Sequence, residues 1–407
     1  MSGVSNACAR AWVEVDLDAL RANFLRLRER AGPGHGVLPV VKADAYGLGA
    51  TRVLRELEPL EPWGFGVATA EEGASLRAAG YTGRVLVVAP LTPGSEPLAA
   101  AAGLTPTVSD TAALDRLAAA VPASGPPLAF HVDVDTGMGR SGFPDDAVGA
   151  WAPAVAARGR DGLRWTGICT HLYGADEGDA GSARAQWLRF QQALAAVRAG
   201  IPGEMARGVG PVGGSAGSGP FGLLVHVANS AAAARWPEFA ADIVRSGYAL
   251  YGGWPAGLEP ERAEVPRPEP VVSVRARIAL VRRVPAGATV GYGATHSAPP
   301  GGARWATVAI GYGDGLPRRL GNRGRALVRG ASARIVGRVS MDLTVVDVSD
   351  IDGVEAGEVV TLLGRDGGRE IPLAEVARHA GTIGYEILTG LGARLPRTEV
   401  SRVGGDG

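Results

Sequence analysis

The sequence predicts an α/β chain in two parts, a (β/α)8 barrel of the TIM type followed by a mostly β domain. Three observations carry this. Between residues 37 and 252 short apolar runs recur eight times, most of them followed by Ala- and Leu-rich stretches. After about residue 255 the pattern changes to short runs in which apolar and polar residues alternate. Between the two lies a charged, proline-rich segment, EPERAEVPRPEP (259–270), with the composition of a linker. At 407 residues the chain is too long for one ordinary core. We therefore expect a barrel over 12–255 and a second domain over 256–400.

The elements follow in order. DLDALRANFLRLRER (16–30) predicts a helix that Asp16 can cap, with Leu17, Leu20, Phe24 and Leu27 on one stripe. The eight candidate barrel strands are VLPVVKA, GFGVATA, RVLVVAP, TPTVS, LAFHVDV, WTGICTHL, LLVHVANS and DIVRSGYALYG. Stretches such as AEEGASLRAAG and ARAQWLRFQQALAAVRAG supply the helices between them. Near-continuous apolar strands alternating with helices argue a parallel sheet. An open, doubly wound sheet would give the same rhythm, but no GxGxxG follows the first strand. In the second domain, VVSVRARIALVRRV places Val272, Val274, Ala276, Ile278 and Leu280 on one face and Ser273, Arg275 and Arg277 on the other. Further strands are expected in RWATVAIG, ARIVGRVSMDLTVVDV and EVVTLLG, and one late helix near LAEVARHAG. The stretch GVGPVGGSAGSGPFG (208–222) reads as a surface insertion before the seventh strand.

Composition excludes several classes. Lys plus Arg equals Asp plus Glu at 41 each, so charge gives no case for nucleic acid or an anionic membrane as partner. The two cysteines, Cys8 and Cys169, make neither a disulfide framework nor a zinc spacing, and no metal site is expected. The N-terminus lacks a basic start followed by an apolar core, and no apolar run approaches the ~20 residues that span a bilayer. The expectation is a soluble, cytoplasmic protein.

In a (β/α)8 barrel, functional groups gather where the strands end. Lys42 ends the first strand, where partial desolvation lowers an amine's pKa and lets it form an imine with a carbonyl. A lysine marking the strand's exit to solvent is the plainer alternative. Tyr46 follows four residues on. The fifth strand ends in HVDVDTGMGRSG, with Asp133 and Asp135 on one side and then Arg140. His171 ends the sixth, Asn229 and Ser230 the seventh, and Arg245 lies in the eighth with Gly247 and Tyr248 just beyond. Backbone N–H groups after strands seven and eight make a phosphate cradle in this fold. Singly, Ser230 could be a helix cap, His171 a core histidine and Arg245 half of a buried ion pair. Their gathering at one barrel end is what those alternatives leave unexplained.

From Trp12 to about Arg397 the chain resembles the alanine racemases, barrel-type pyridoxal-phosphate enzymes. The resemblance rests on VVKADAYGLG, DTGMGR, HVANSAA, VRSGYALYG, GYGAT, IGYGDGLPRRL, GRVSMD and TIGYE, eight blocks in the family's order. It implies that Lys42 binds pyridoxal 5'-phosphate covalently and serves as acid and base on one face of an amino-acid substrate. Tyr292 of the partner subunit would act on the other face, in a homodimer with shared active sites. Tyr46, Asn229, Ser230, Gly247, Tyr248 and Tyr385 would surround the phosphate, and Arg245 would meet the cofactor's ring nitrogen. His171 would link Arg245 to Tyr292. Arg140 would touch the cofactor's phenolic oxygen and the substrate carboxylate, and Met341 would bind that carboxylate through its N–H. Tyr312, with Arg318, Arg338, Asp342 and Ile383, would shape the entrance. The implied reaction is the interconversion of L- and D-alanine. The alternative is another amino acid on the same scaffold, such as serine or an antibiotic precursor, or cleavage of a β-hydroxy amino acid.

The sequence departs from the family pattern at several places. Asp133 stands where a lysine carrying a carbamate is frequent, which retains charge but not reach. Leu48 replaces a histidine, Tyr173 adds bulk where alanine is usual, Ser340 replaces a cysteine, and Gly384 is smaller than usual. None of these touches the two expected bases.

Overall fold

The structure is a computed structural model and describes residues 8–122, 125–159, 162–176, 180–201, 209–210, 217–254 and 267–401. Most of the proline-rich linker and part of the 208–222 insertion lie outside the described residues.

The first strand, β1 (Ala11–Asp16), is followed at once by the helix Leu17–Ala31. Asp16 caps that helix by accepting the Ala19 N–H at 2.8 Å. Leu20 and Phe24 of its apolar stripe are buried, and Leu17 and Leu27 pack at the edge of the core. The barrel strands are β2 (Gly36–Pro39), β3 (Phe65–Val67), β4 (Val85–Val87), β5 (Thr105–Val108), β6 (Leu128–Asp135), β8 (Leu163–Cys169), β9 (Leu224–His226) and β10 (Ile243–Ser246). A two-residue strand, β7 (Phe143–Pro144), pairs with the end of β6. All eight predicted barrel strands are present, each run falling on one of them.

The barrel strands pair in parallel in the order β3-β4-β5-β6-β8-β9, and β10 pairs with β2. The ring closes at two seams. A parallel bridge between Val40 and Gly66 joins β2 to β3. The Asp242 and Arg245 N–H groups donate to the Val225 and Ala228 carbonyls, both at 2.9 Å, and join β9 to β10. Helices such as Ala70–Ala78, Thr111–Ala120 and Gly181–Gly200 lie between successive strands. Because every strand runs the same way, their C-terminal ends share one face of the barrel.

The second domain holds β11 (Val272–Val284), β12 (Ala303–Val308), β13 (Arg325–Val328), β14 (Ala331–Ile335), β15 (Thr344–Asp347), β16 (Val359–Asp366), β17 (Arg369–Ile371) and β18 (Arg397–Val400). They form a nine-stranded sheet in the order β17-β16-β13-β14-β15-β12-β11-β1-β18. The ninth member is β1, which, all but Ala11, lies within the 12–255 stretch and which pairs antiparallel with β11 and parallel with β18. The first described strand thus belongs to the second domain's sheet, and the helix Leu17–Ala31 leads from it into the barrel. Along β11 the expected alternation holds from Val272 to Ile278, all buried at every second position. It fails at Leu280, which is 50% exposed, because the register with β12 shifts between Ile278 and Leu280. The late helix is Leu373–Ala380, and a second, Gly384–Thr389, begins within TIGYE.

Candidate active site

Lys42 leaves β2 into an uncommon piece of backbone. Ala43, Asp44, Ala45 and Tyr46 have φ of 52, 53, 54 and 57°, one turn of left-handed helix with no glycine in it. Such a conformation costs L-residues roughly 1–2 kcal/mol each, so the surroundings must fix it. Glu72 does so from the first turn of the helix Ala70–Ala78. One of its oxygens accepts the Ala43 N–H and the other the Ala68 N–H, both at 2.7 Å. The Asp44 carboxylate accepts the Ala50 N–H at 2.7 Å, and Arg397 of β18 donates to the Gly47 carbonyl at 2.9 Å. The turn brings Lys42 and Tyr46 to the wall of one cavity of about 630 Å³ at the strand ends. Burial holds the Lys42 amine below the ordinary lysine value; the Arg140 and Arg245 charges push the same way and Glu72 opposes them.

The same cavity is lined by Arg140, His171, Asn229, Ser230, Arg245, Gly247, Tyr248, Ile383 and Tyr385. The cap of the helix Ser230–Arg235 is Asn229, whose side chain accepts the Ala232 N–H at 3.0 Å. That releases the Ser230 hydroxyl, which accepts the N–H groups of Gly247 and Ala249 at 3.2 Å. A Cβ on Gly247 would lie 2.2 Å from the Tyr46 hydroxyl, so only glycine lets that phenol reach the loop. The reduced size of Gly384 has a similar reason, since a Cβ there would meet the Tyr248 hydroxyl at 2.0 Å. Tyr248 and Tyr385 stack with ring centres 4.1 Å apart. Burial pushes the phenols of Tyr46 and Tyr248 up to about 12 and that of Tyr385 higher still, which keeps all three as proton-bearing donors. Neutral donors converging on one end of a cavity suit a phosphate group.

Arg245 is not half of an ion pair. It is buried, and among the described residues no carboxylate lies within ion-pair distance of it. Its guanidinium donates to the carbonyls of His226, Thr170 and Val227 at 2.6, 2.9 and 3.2 Å. It also meets Nδ1 of His226 at 2.8 Å and Nδ1 of His171 at 3.4 Å. His226 in turn contacts Nδ1 of His131 at 2.7 Å through its Nε2. Since arginine only donates, this network assigns the His226 proton to Nε2. Burial, then the Arg245 charge, drives His171 and His131 down to about 3 and His226 well below its usual value, so all three imidazoles are neutral. The Gln186 amide, reaching in from the helix Gly181–Gly200, donates to the His171 carbonyl at 3.1 Å.

His131, His226 and Gln186 escaped the sequence reading. His131 stands two residues before Asp133 on one strand, and that spacing places both on the same strand face. Gln186 left no signal, because a polar residue on an amphipathic helix reads as solvent-facing. The two aspartates of β6 part company. Asp133 lines the cavity and its carboxylate takes a hydrogen bond from Ser141 at 2.8 Å, while Asp135 turns away to accept the Gly137 and Gly139 N–H groups at 2.9 and 3.0 Å. Burial raises the Asp133 carboxyl above the usual aspartate value.

Six expected site residues stay outside this cavity. Tyr292, Tyr312, Arg318, Arg338, Met341 and Asp342 sit on the second domain, with Tyr292 67% exposed. Tyr312 and Met341 belong to one packed unit, since the Tyr312 and Gly313 N–H groups donate to the Ser340 and Met341 carbonyls at 2.9 and 2.8 Å. Among the described residues the chain's own cavity thus holds one amine and two guanidiniums, and Tyr385 is the second domain's one phenol in it.

Residues 15–209 match the alanine racemase N-terminal domain and residues 271–399 the alanine racemase C-terminal domain. A protein of Syntrophobacter fumaroxidans named alanine racemase is 37% identical over 385 residues, covering 94% of this chain and 96% of that one. The chain belongs to the alanine racemase family. Among solved structures, the alanine racemase of a D-cycloserine-producing Streptomyces lavendulae superposes with a TM-score of 0.84 at 36% identity, covering 96% of this chain and 97% of that one. The alanine racemase of Bartonella henselae, solved with covalently bound pyridoxal phosphate, superposes at 0.81 with 28% identity over 96% of this chain and all of that one. Like other members of this family, the protein is an isomerase with a barrel domain and a mostly β domain. Among the described residues no helix is long and apolar enough to cross a membrane.

Proposed function

We propose that the protein interconverts L- and D-alanine in the cytoplasm, as a homodimer whose sites combine two subunits and hold pyridoxal 5'-phosphate. The observation that carries this is the pairing, in one cavity, of a half-buried lysine of lowered pKa with a buried arginine that has no carboxylate at ion-pair distance among the described residues. The residues fit the cofactor. Tyr46, Ser230, Tyr248, Tyr385 and the backbone at Asn229 and Gly247 would hold its phosphate, Arg245 its ring nitrogen, Arg140 its phenolic oxygen, and Lys42 its carbonyl carbon. When bound, the cofactor would withdraw electrons from the substrate's Cα–H bond; a guanidinium only donates, so it would leave the ring nitrogen unprotonated and that withdrawal weaker than a protonated ring's.

The chain's residues then divide the remaining work. Lys42, neutral more readily than a free lysine, accepts the α-proton on one face or returns it. Tyr292 of the partner subunit does the same on the other face. Arg140 and the N–H of Met341 of the partner subunit orient the substrate carboxylate, and the partner subunit's Tyr312 narrows the way in. His171, neutral and held by Arg245 on one nitrogen, presents its other nitrogen as a donor. A proton leaving one face and arriving on the other inverts the centre; a single base would only exchange it.

The test is to incubate the holoenzyme with single L-amino acids in deuterated water and to score α-deuteration and chirality together. L-Alanine is expected to give α-deuterated D-alanine well ahead of serine and larger amino acids. Tyr292→Phe is expected to slow α-exchange of one alanine enantiomer far more than the other. Equal slowing of both would remove the two-face mechanism, and a larger amino acid outrunning alanine would remove the substrate.

A further inference from the structure

We propose that Asn322 is a positioning residue for Tyr292, fixing the turn that carries this phenol. The inference rests on the reading of Tyr292 as the second base. Tyr292 begins a single 3-10 turn, Tyr292–Ala294, whose own closure is one N–H of Ala294 on the Gly291 carbonyl at 3.2 Å. Gly291, Gly293 and Ala294 have φ of 70, 75 and 46°, so glycines flank the tyrosine on both sides. Two glycines lend a turn freedom rather than stiffness. Proton transfer needs its base placed to within about 0.5 Å. Something outside the turn must hold it.

The neighbouring loops do so by close backbone approach. A Cβ on Gly337 would lie 2.8 Å from the Val290 carbonyl oxygen, and one on Gly321 would lie 2.6 Å from the Gly337 carbonyl oxygen. A Cβ on Gly293 would meet the Arg338 guanidinium at 2.9 Å. Three segments, 290–295, 321–322 and 337–338, are therefore stacked backbone to backbone. One side chain hydrogen-bonds across all three. The Asn322 amide donates to the Thr295 hydroxyl at 3.0 Å and to the Thr295 carbonyl at 3.3 Å, and its oxygen accepts the Gly337 N–H at 2.6 Å. Asn322 itself sits at φ 58°, a left-handed conformation that asparagine tolerates better than most residues. The position needs a donor toward Thr295 and an acceptor toward Gly337; an aspartate offers only the acceptor and a leucine of similar size neither.

The test separates the amide from the backbone. Asn322→Gly keeps the positive φ without strain and removes only the three hydrogen bonds, and Thr295→Val removes one of them. Both holoenzymes are compared with Tyr292→Phe by α-exchange of each alanine enantiomer in deuterated water. Asn322→Gly is expected to lower kcat about 10- to 100-fold, as a misplaced base does, with the loss confined to the enantiomer that Tyr292→Phe affects. KM and the visible absorbance of the lysine-bound cofactor should stay as in the wild type. Thr295→Val should show the same bias, more weakly. Normal exchange of both enantiomers in Asn322→Gly, or equal slowing of both with a lowered Tm, overturns the proposal while a biased Tyr292→Phe leaves the two-base reading standing. An unbiased Tyr292→Phe takes down both.

Discussion

Lys42 and Asp133 line one cavity and burial moves them in opposite directions, the amine down and the carboxyl up. Both shifts favour the neutral form, as desolvation requires. For Lys42 the consequence is chemical, a larger share of nucleophilic amine near neutral pH. For Asp133 it is a stability term whose sign can be worked out. Its folded pKa lies above the unfolded one, so the buried neutral carboxyl contributes fully below the unfolded value, near ~3.9. That contribution is lost as pH rises through the raised folded value. Asparagine at this position keeps an acceptor for Ser141 and never ionises. Asp133→Asn is therefore expected to match the wild type in acid and to be the more stable of the two at neutral pH. Thermal melting of the cofactor-free protein across that range reads this directly, and a constant gap between the two curves would refute it. Asp133 was legible as a candidate because it ends a strand. That its carboxylate takes the Ser141 hydrogen bond was not, since rotamers at a strand end depend on neighbours the sequence does not order.

The turn after Lys42 shows where local sequence stops deciding structure. The apolar run Val37–Val41 made the strand and its lysine exit readable. Nothing in Ala43, Asp44, Ala45 and Tyr46 prefers a left-handed turn, and no glycine marks it. Its cause is tertiary, and Glu72 is the residue on which it converges. Glutamine there keeps one acceptor oxygen and replaces the other with a donor, so one of the two N–H groups loses its partner. Glu72→Gln is expected to lower unfolding stability by about 1–2 kcal/mol, measured by denaturant titration. It also removes the one charge that raises the Lys42 pKa, so the pH midpoint for covalent cofactor uptake should fall. A midpoint moved upward would show that Glu72 does not act on Lys42 through its charge. The bulge in β11 has the same lesson. Alternation gave the buried face from Val272 to Ile278, but the register shift before Leu280 comes from pairing with β12, thirty residues away in the chain's folding back on itself.

The arrangement of the two domains decides where the second base can act. β1 and β18 fasten the second domain to the barrel, and Arg397 grips the Lys42 turn from behind, through the Gly47 carbonyl. Within one chain this leaves the Tyr292 turn exposed and absent from the lining of the Lys42 cavity. A solvent-exposed tyrosine with no ring stacked on it among the described residues is poorly suited to catalysis in its own subunit. Symmetric pairing of two chains would let each second domain complete the other's barrel, because an interface with twofold symmetry repeats every contact. Chains carrying Lys42→Ala and chains carrying Tyr292→Phe should each be nearly inactive alone. In a mixed dimer with shared sites, one site has lost both bases and the other has kept both. Random reassortment makes about half of all dimers mixed, so the mixture should recover about a quarter of wild-type activity. If each chain instead supplied both bases to its own site, every site in the mixture would still lack one base. No activity would then return, even in dimers shown by differential tagging to contain one chain of each kind.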